Sequence, residues 1–172
     1  MANSTVHIDF LRTALDEARK CEPAPTAFCV GCIIVTHWPN LKSPAVVLAS
    51  GYSRELPGNT HAEANALAKV NQLTEVQIKQ LFDSTPVPSR EDLLKNADVY
   101  TTLEPCSIRT SGLSPCADAL IAAKIHRCFV GVNEPPDFVS CEGTRKLKDA
   151  GIQVVWVKGL EEECLAVARR SH

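Results

Sequence analysis

Apolar positions along the first twenty residues fall at helical spacing. Ile8, Leu11, Leu15 and Ala18 share one face of residues 5–20, which predicts an amphipathic helix. Glu22–Pro25 breaks it. Phe28–Thr36 (FCVGCIIVT) is apolar without alternation, the pattern of a strand buried on both faces. A turn-rich loop over His37–Pro44 leads to a second strand, Ala45–Gly51, and the two are expected to form an antiparallel, hairpin-like pair. A helix is predicted from Thr60 to about Lys69, with Thr60 as its cap and Glu63, three residues on, completing a capping box. Residues 71–97 are polar and mixed, interrupted by Pro86-Val87-Pro88, and are expected as one or two short surface helices inserted between core elements.

Strand and helix alternate in the second half. Asp98–Leu103 is a strand, and Ser114–Lys124 a helix with Ser114 as cap and Pro115 at the first helical position. Arg127–Val132 is a strand, Glu142–Ala150 a helix closed by Gly151, Ile152–Lys158 a strand and Leu160–Arg170 a last helix. Helical crossovers join parallel strands. The expected fold is α/β: three layers, α/β/α, around a five-stranded mixed sheet, in a single domain over residues 1–172 with an insertion at about 71–97.

Length and charge narrow the function classes. A chain of 172 residues suits one domain and buries a core without needing disulfides. A net charge of -2 does not point to a nucleic-acid partner. No apolar run reaches the roughly 18–20 residues that span a bilayer, so no membrane partner is expected. The first twenty residues lack a signal-peptide core, which predicts a cytoplasmic protein. Eight cysteines are many for such a setting, and Cys29, Cys32 and Cys128, in strand-like apolar runs, read as buried free thiols.

Chemistry gathers at three places: His61-Ala62-Glu63 at a helix start, Pro105-Cys106 just after a strand, and Pro115-Cys116 at another helix start. Any one of them alone reads as ordinary structure, Glu63 as no more than the partner of Thr60. Together, one imidazole (His61) and two thiolates (Cys106, Cys116) suit Zn2+, one per chain. Three protein ligands leave a fourth position for water, whose pKa zinc brings to about 7. The positive end of the helix dipole is expected to favour the thiolate at Cys116. Glu63, two residues past the histidine, is placed to shuttle protons as general acid and base. The order is that of zinc deaminases, H-x-E then P-C-x-x-C. Here nine residues, Ser107 to Pro115, separate the cysteines instead of two.

The chain resembles the cytidine-deaminase-like superfamily and, within it, the pyrimidine deaminases of riboflavin biosynthesis, in their fungal form. The matching stretches are PTAFCVGCIIV (25–35), HAEANAL (61–67), VYTTLEPCSIRTSGLSPC (99–116), FVGVNEP (129–135) and GTRKLKDAGIQVVWV (143–157). Two features depart from the bacterial pattern: Ala27 stands where an Asn is expected, and Arg109 is the only base in the inter-cysteine loop, where a Lys is expected. A third expected departure is that no reductase domain accompanies the deaminase unit. The resemblance implies a cytidine-deaminase-like fold, a homodimer, and hydrolytic deamination at C2 of 2,5-diamino-6-ribitylamino-4(3H)-pyrimidinone 5'-phosphate, a phosphorylated pyrimidine. The ring would be read by the Asn59 side chain and the Ala62 backbone, although Asn59 also reads as a turn residue after Gly58. Arg109, in the loop between the two ligands, is a candidate for the phosphate or a solvated loop arginine. Ser107 and Ser111 are further hydroxyl donors, and Asn133 and Glu134 follow a strand at its C-terminal end, where α/β sites gather, although both also read as surface-loop residues. Glu104 is expected in a structural hydrogen bond. The rival readings are a tRNA adenosine or free nucleobase deaminase, for which a two-residue cysteine spacing is expected, and a non-catalytic zinc-stabilised module, which has no use for Glu63.

Overall fold

The computed structural model describes residues 4–109, 111–135 and 142–170. Its elements are α1 (Ser4–Lys20), β1 (Gly31–Thr36), β2 (Val46–Tyr52), α2 (Ala62–Gln72), α3 (Glu75–Leu81), α4 (Arg90–Lys95), β3 (Ala97–Leu103), α5 (Cys116–Ala122), β4 (Arg127–Val132), α6 (Gly143–Asp149), β5 (Gln153–Trp156) and α7 (Glu161–Ala168). The sheet runs β2-β1-β3-β4-β5. β1 is antiparallel to both neighbours, whereas β3, β4 and β5 are parallel. This is the expected five-stranded mixed sheet.

Every residue of β1 and of β3 is buried, as unalternating apolar runs require. Ile33, Val35, Tyr100 and Phe129 face one layer, where they pack with Leu11, Leu15 and Ala18 of α1 and with Cys164 of α7. Ile34, Val99, Cys128 and Val130 face the other, against α2, α5 and α6 through Ala66, Val70, Leu120 and Leu147. Two helical layers therefore sandwich the sheet. Cys21, Cys29, Cys32, Cys128 and Cys164 are buried free thiols. Among the described residues no helix is long and apolar enough to cross a membrane.

Three local expectations are corrected. The first strand starts at Gly31, not Phe28, because the backbone of the preceding residues bonds elsewhere. Cys29 N–H donates to the Ala168 carbonyl (3.0 Å) and Val30 N–H to Ser53 Oγ (3.0 Å), which turns Phe28–Val30 off the ladder toward α7. Helix α2 starts at Ala62 with His61 as its N-cap and no side-chain cap. Thr60 Oγ1 instead accepts from Leu56 N–H (3.3 Å) and from Asn65 Nδ2 (3.1 Å), so Thr60 and Glu63 make no capping box. The box is one helix later, between Thr74 and Gln77 at the start of α3. Ser114 likewise caps nothing; Pro115 is the N-cap of α5, and the Ser114 hydroxyl lies 3.5 Å from the Pro115 carbonyl.

Candidate active site

The C-terminal end of β3 runs straight into Glu104-Pro105-Cys106, beside the first turn of α2 and the first residue of α5. His61, Cys106 and Cys116 converge there, their ligand atoms all within 4.8 Å of one another. His61 Nδ1 lies 3.5 Å from Cys106 Sγ and 3.4 Å from Cys116 Sγ, and the Cys116 N–H donates to Cys106 Sγ at 3.3 Å. Both cysteines are buried. One imidazole and two sulfurs in so small a space fit a zinc ion by donor type, number and convergence.

The two thiols share charge unequally. The Cys116 thiol, the His61 ring and the Cys116 N–H all donate to Cys106 and hold its thiol down at about 4, against the cost of burial. The helix-start advantage expected at Cys116 is outweighed: the Cys106 thiolate, burial and Glu63 keep its thiol well above the ordinary range.

Glu63 is buried beside this triad at the second position of α2. Its Oε1 lies 3.0 Å from Thr101 Oγ1, whose one proton goes to the Glu63 carboxylate or to the Leu103 carbonyl, also at 3.0 Å. Burial first, and the Cys106 thiolate second, push its carboxyl up from the usual range, partly offset by His61. A carboxyl raised in this way exchanges protons more readily near neutral pH than an exposed one.

An open cavity of about 130 Å³ lies against the triad, lined among others by Phe28, Arg54, Asn59, His61, Glu63 and Cys106. Ala27 also lines it, so the missing Asn leaves an apolar spot on the wall. Among the expected contact residues, Asn59 and Glu134 line the cavity and the others do not. Ala62 is fully buried in the core. Ser107 Oγ accepts the Glu142 N–H at 3.1 Å, which fastens its loop to α6. Ser111 and Asn133 are exposed. Arg109 Nη2 donates to the Asn59 backbone carbonyl at 2.6 Å. Cys141, a nearby candidate in the sequence for the fourth ligand of a purely structural zinc site, lies outside the described residues.

Several site residues escaped the sequence reading. Arg54 lines the cavity, with Nη1 on the Phe28 carbonyl (3.1 Å) and Nη2 on the Glu22 carbonyl (2.8 Å) and Cys21 Sγ (2.9 Å). Of the pair named after β4, Glu134 is on the same wall and Asn133 is not. Glu104, expected to be structural, accepts from Thr144 N–H (3.0 Å) and Thr144 Oγ1 (2.7 Å) at the start of α6 while also lining the cavity. Thr101 was hidden in β3, yet a hydroxyl in a strand buried at every position is itself a signal that something nearby needs a donor.

A three-layer α/β/α fold thus brings one imidazole, two thiols and a buried carboxyl together beside one cavity. The chain belongs to the family of the cytidine and deoxycytidylate deaminase zinc-binding region, a model of which matches residues 4–132. It is 39% identical over 166 residues to the diaminohydroxyphosphoribosylamino-pyrimidine deaminase of Schizosaccharomyces pombe, covering 96% of this chain and 36% of that one. It is 32% identical over 165 residues to the riboflavin biosynthesis protein RibD of Actinobacillus pleuropneumoniae, covering 93% and 35%. The chain thus spans about a third of the length of these curated relatives. Among solved structures it is similar to the Aspergillus oryzae Rib2 deaminase, a C-terminal deletion mutant, with a TM-score of 0.76 and 35% identity over 96% of this chain and 92% of that one. The same enzyme has been solved in complex with DARIPP.

Proposed function

We propose that the protein is a hydrolase that deaminates C2 of 2,5-diamino-6-ribitylamino-4(3H)-pyrimidinone 5'-phosphate in riboflavin biosynthesis. The observation that carries this is the buried Glu63 carboxyl facing the same cavity as His61 and Cys106, a placement that a purely structural metal site has no need of. The similarity to the Schizosaccharomyces pombe deaminase and to the Aspergillus oryzae enzyme solved with DARIPP supports the substrate class. Assembly as a homodimer and residence in the cytoplasm belong to the same reading.

His61, Cys106 and Cys116 would hold the zinc, which when bound lowers the pKa of water and so supplies a nucleophile at neutral pH. Glu63 would take one proton from the attacking water and pass it to a ring nitrogen, then take the proton of the resulting C2 hydroxyl and pass it to the departing amine. Ammonia leaves and a 2-oxo ring remains. Thr101 fixes the Glu63 carboxylate by donating to Oε1. Asn59 and Arg54 both line the cavity that the ring would enter, Arg54 with its guanidinium held by the Phe28 and Glu22 carbonyls. Arg109, bonded to backbone, is not the phosphate ligand in this reading.

The test is ammonia release from the diaminopyrimidine phosphate by the zinc-loaded protein. Glu63→Gln keeps the shape of the side chain but cannot take a proton, and its turnover is expected to fall by at least about a hundredfold, the lower range for general acid–base catalysis. Full activity in that variant would refute the assignment.

A further inference from the structure

The segment between the two cysteine ligands is nine residues long, and its fastening shows what that length achieves. At its start, Ser107 Oγ accepts from Glu142 N–H, tying it to α6. At its end, Pro115 is the N-cap of α5. From this segment Arg109 reaches the loop that leads into α2. There its guanidinium donates to the Asn59 carbonyl at 2.6 Å, a partner fifty positions away in sequence. Arg109 is half-buried and does not line the cavity, whereas Asn59 does.

The loop it reaches is one that needs holding. Arg54 (φ 60) and Gly58 (φ 93) both occupy the left-handed region, a conformation that costs free energy at the non-glycine position. Within the loop, Arg54 N–H donates to the Thr60 carbonyl (2.7 Å) and the Leu56 N–H to Thr60 Oγ1 (3.3 Å). These bonds pinch the loop closed on itself, but they leave the Asn59 peptide to be oriented from outside. Arg109 is the described side chain that does so.

We infer that Arg109 is a positioning residue: it clamps the Asn59 wall of the cavity from the inter-cysteine loop and so sets how the pyrimidine ring is held. This rests on the deaminase reading above and changes the role that a loop arginine near a phosphorylated substrate would ordinarily be given. A clamp acts on the ring, so its loss is felt whether or not the substrate carries a phosphate. A phosphate ligand matters only when the phosphate is there.

The experiment compares Arg109→Met and Arg109→Lys with the unaltered 172-residue chain, each with its zinc content measured. Ammonia release is followed from the diaminopyrimidine phosphate and from its dephosphorylated form. For Arg109→Met the clamp predicts a KM higher by about tenfold on both substrates, the scale of one charge-assisted hydrogen bond. Zinc content stays unchanged, and Arg109→Lys, which keeps a charged donor, recovers part of the loss. Loss confined to the phosphorylated substrate overturns the proposal. Amide hydrogen exchange over residues 54–60 supplies a readout independent of the substrate: Arg109→Met should exchange faster there than the unaltered chain. Unchanged exchange overturns the clamp even if the protein deaminates a different molecule. If the unaltered chain releases no ammonia while exchange does accelerate, the clamp stands and the substrate reading fails.

Discussion

Helix α6 touches the metal triad through a glycine, and adding one carbon there should disable the site from behind. A Cβ built on Gly143 would lie 1.6 Å from the Pro105 carbonyl oxygen and 2.8 Å from its carbon. Both are backbone atoms of the peptide leading into Cys106, so no side chain can swing aside. Restoring ordinary contact requires the start of α6 and the Pro105-Cys106 peptide to separate by roughly 1.5 Å or more. The start of α6 is also bonded on both sides of Cys106, to Glu104 through Thr144 and to Ser107 through Glu142, so the strain passes directly to the ligand. Zinc ligands tolerate displacements of only about 0.2 Å. Gly143→Ala is therefore expected to weaken zinc binding by at least about tenfold, comparable to losing a residue that orients a ligand. Overpacking of this kind costs about 1–3 kcal/mol, or a Tm lower by roughly 2–12 °C for a chain of this size. Zinc retained after dialysis against a graded chelator, together with a thermal melt, measures both. Gly151→Ala is the control: its Cβ would meet nothing within 4 Å, so only its backbone conformation (φ 84) is strained and zinc binding should not change. The reasoning fails if Gly143→Ala binds zinc and melts like the unaltered protein.

Two further perturbations test the surroundings of the site and the opposite layer. Thr101→Val keeps the volume of the side chain but removes the donor to Glu63 Oε1. The carboxylate loses a bond that favours its charged form, so the Glu63 pKa rises further and the acid limb of the pH–rate profile moves to higher pH, with kcat down by about tenfold; an unmoved limb would sink the role given to Thr101. His7, stacked on Phe129 at 4.2 Å and bonded to the Tyr100 hydroxyl at 2.8 Å, is held below 6.5 first by burial and then by Arg127. Both folded and unfolded forms are neutral above pH 6.5. As pH falls below that value the unfolded chain takes up a proton the folded one resists, so stability declines until the folded-state pKa is passed. Tm measured from pH 7.5 to 5.5 should therefore fall more steeply in the unaltered protein than in His7→Gln, and parallel curves would contradict this.

Periodicity read the scaffold well because burial alone decides it. The apolar face of α1 and the unalternating run of β1 each have one way to leave water. The triad was readable because His61, Cys106 and Cys116 are chemically rare in combination and keep a fixed order. Glu63 shows where local patterning misleads: T-x-x-E has the form of a capping box, but a partner thirty-eight residues away along the chain displaces the cap once the strand brings Thr101 alongside. Arg109 was placed near the site correctly by its position between two ligands. Its role was not readable, because which acceptor a long side chain reaches depends on the path of a different loop. Arg54, Glu104 and Glu134 were missed or undervalued for the same reason, since a cavity wall is assembled from segments with no common sequence pattern.

His61 and Cys106 stand forty-five positions apart, and α3 and α4 lie wholly between them. A metal gripping both ends closes a ring of chain, much as a covalent cross-link does. The entropy of closing such a ring grows only with the logarithm of its length, so doubling the segment costs about 0.6 kcal/mol. Lengthening the segment between α3 and α4, away from the core residues Ile78 and Leu93, therefore costs little by this measure. Additions there leave the two grips where the sheet holds them, which makes this ring a natural place to graft a foreign peptide without silencing the metal centre.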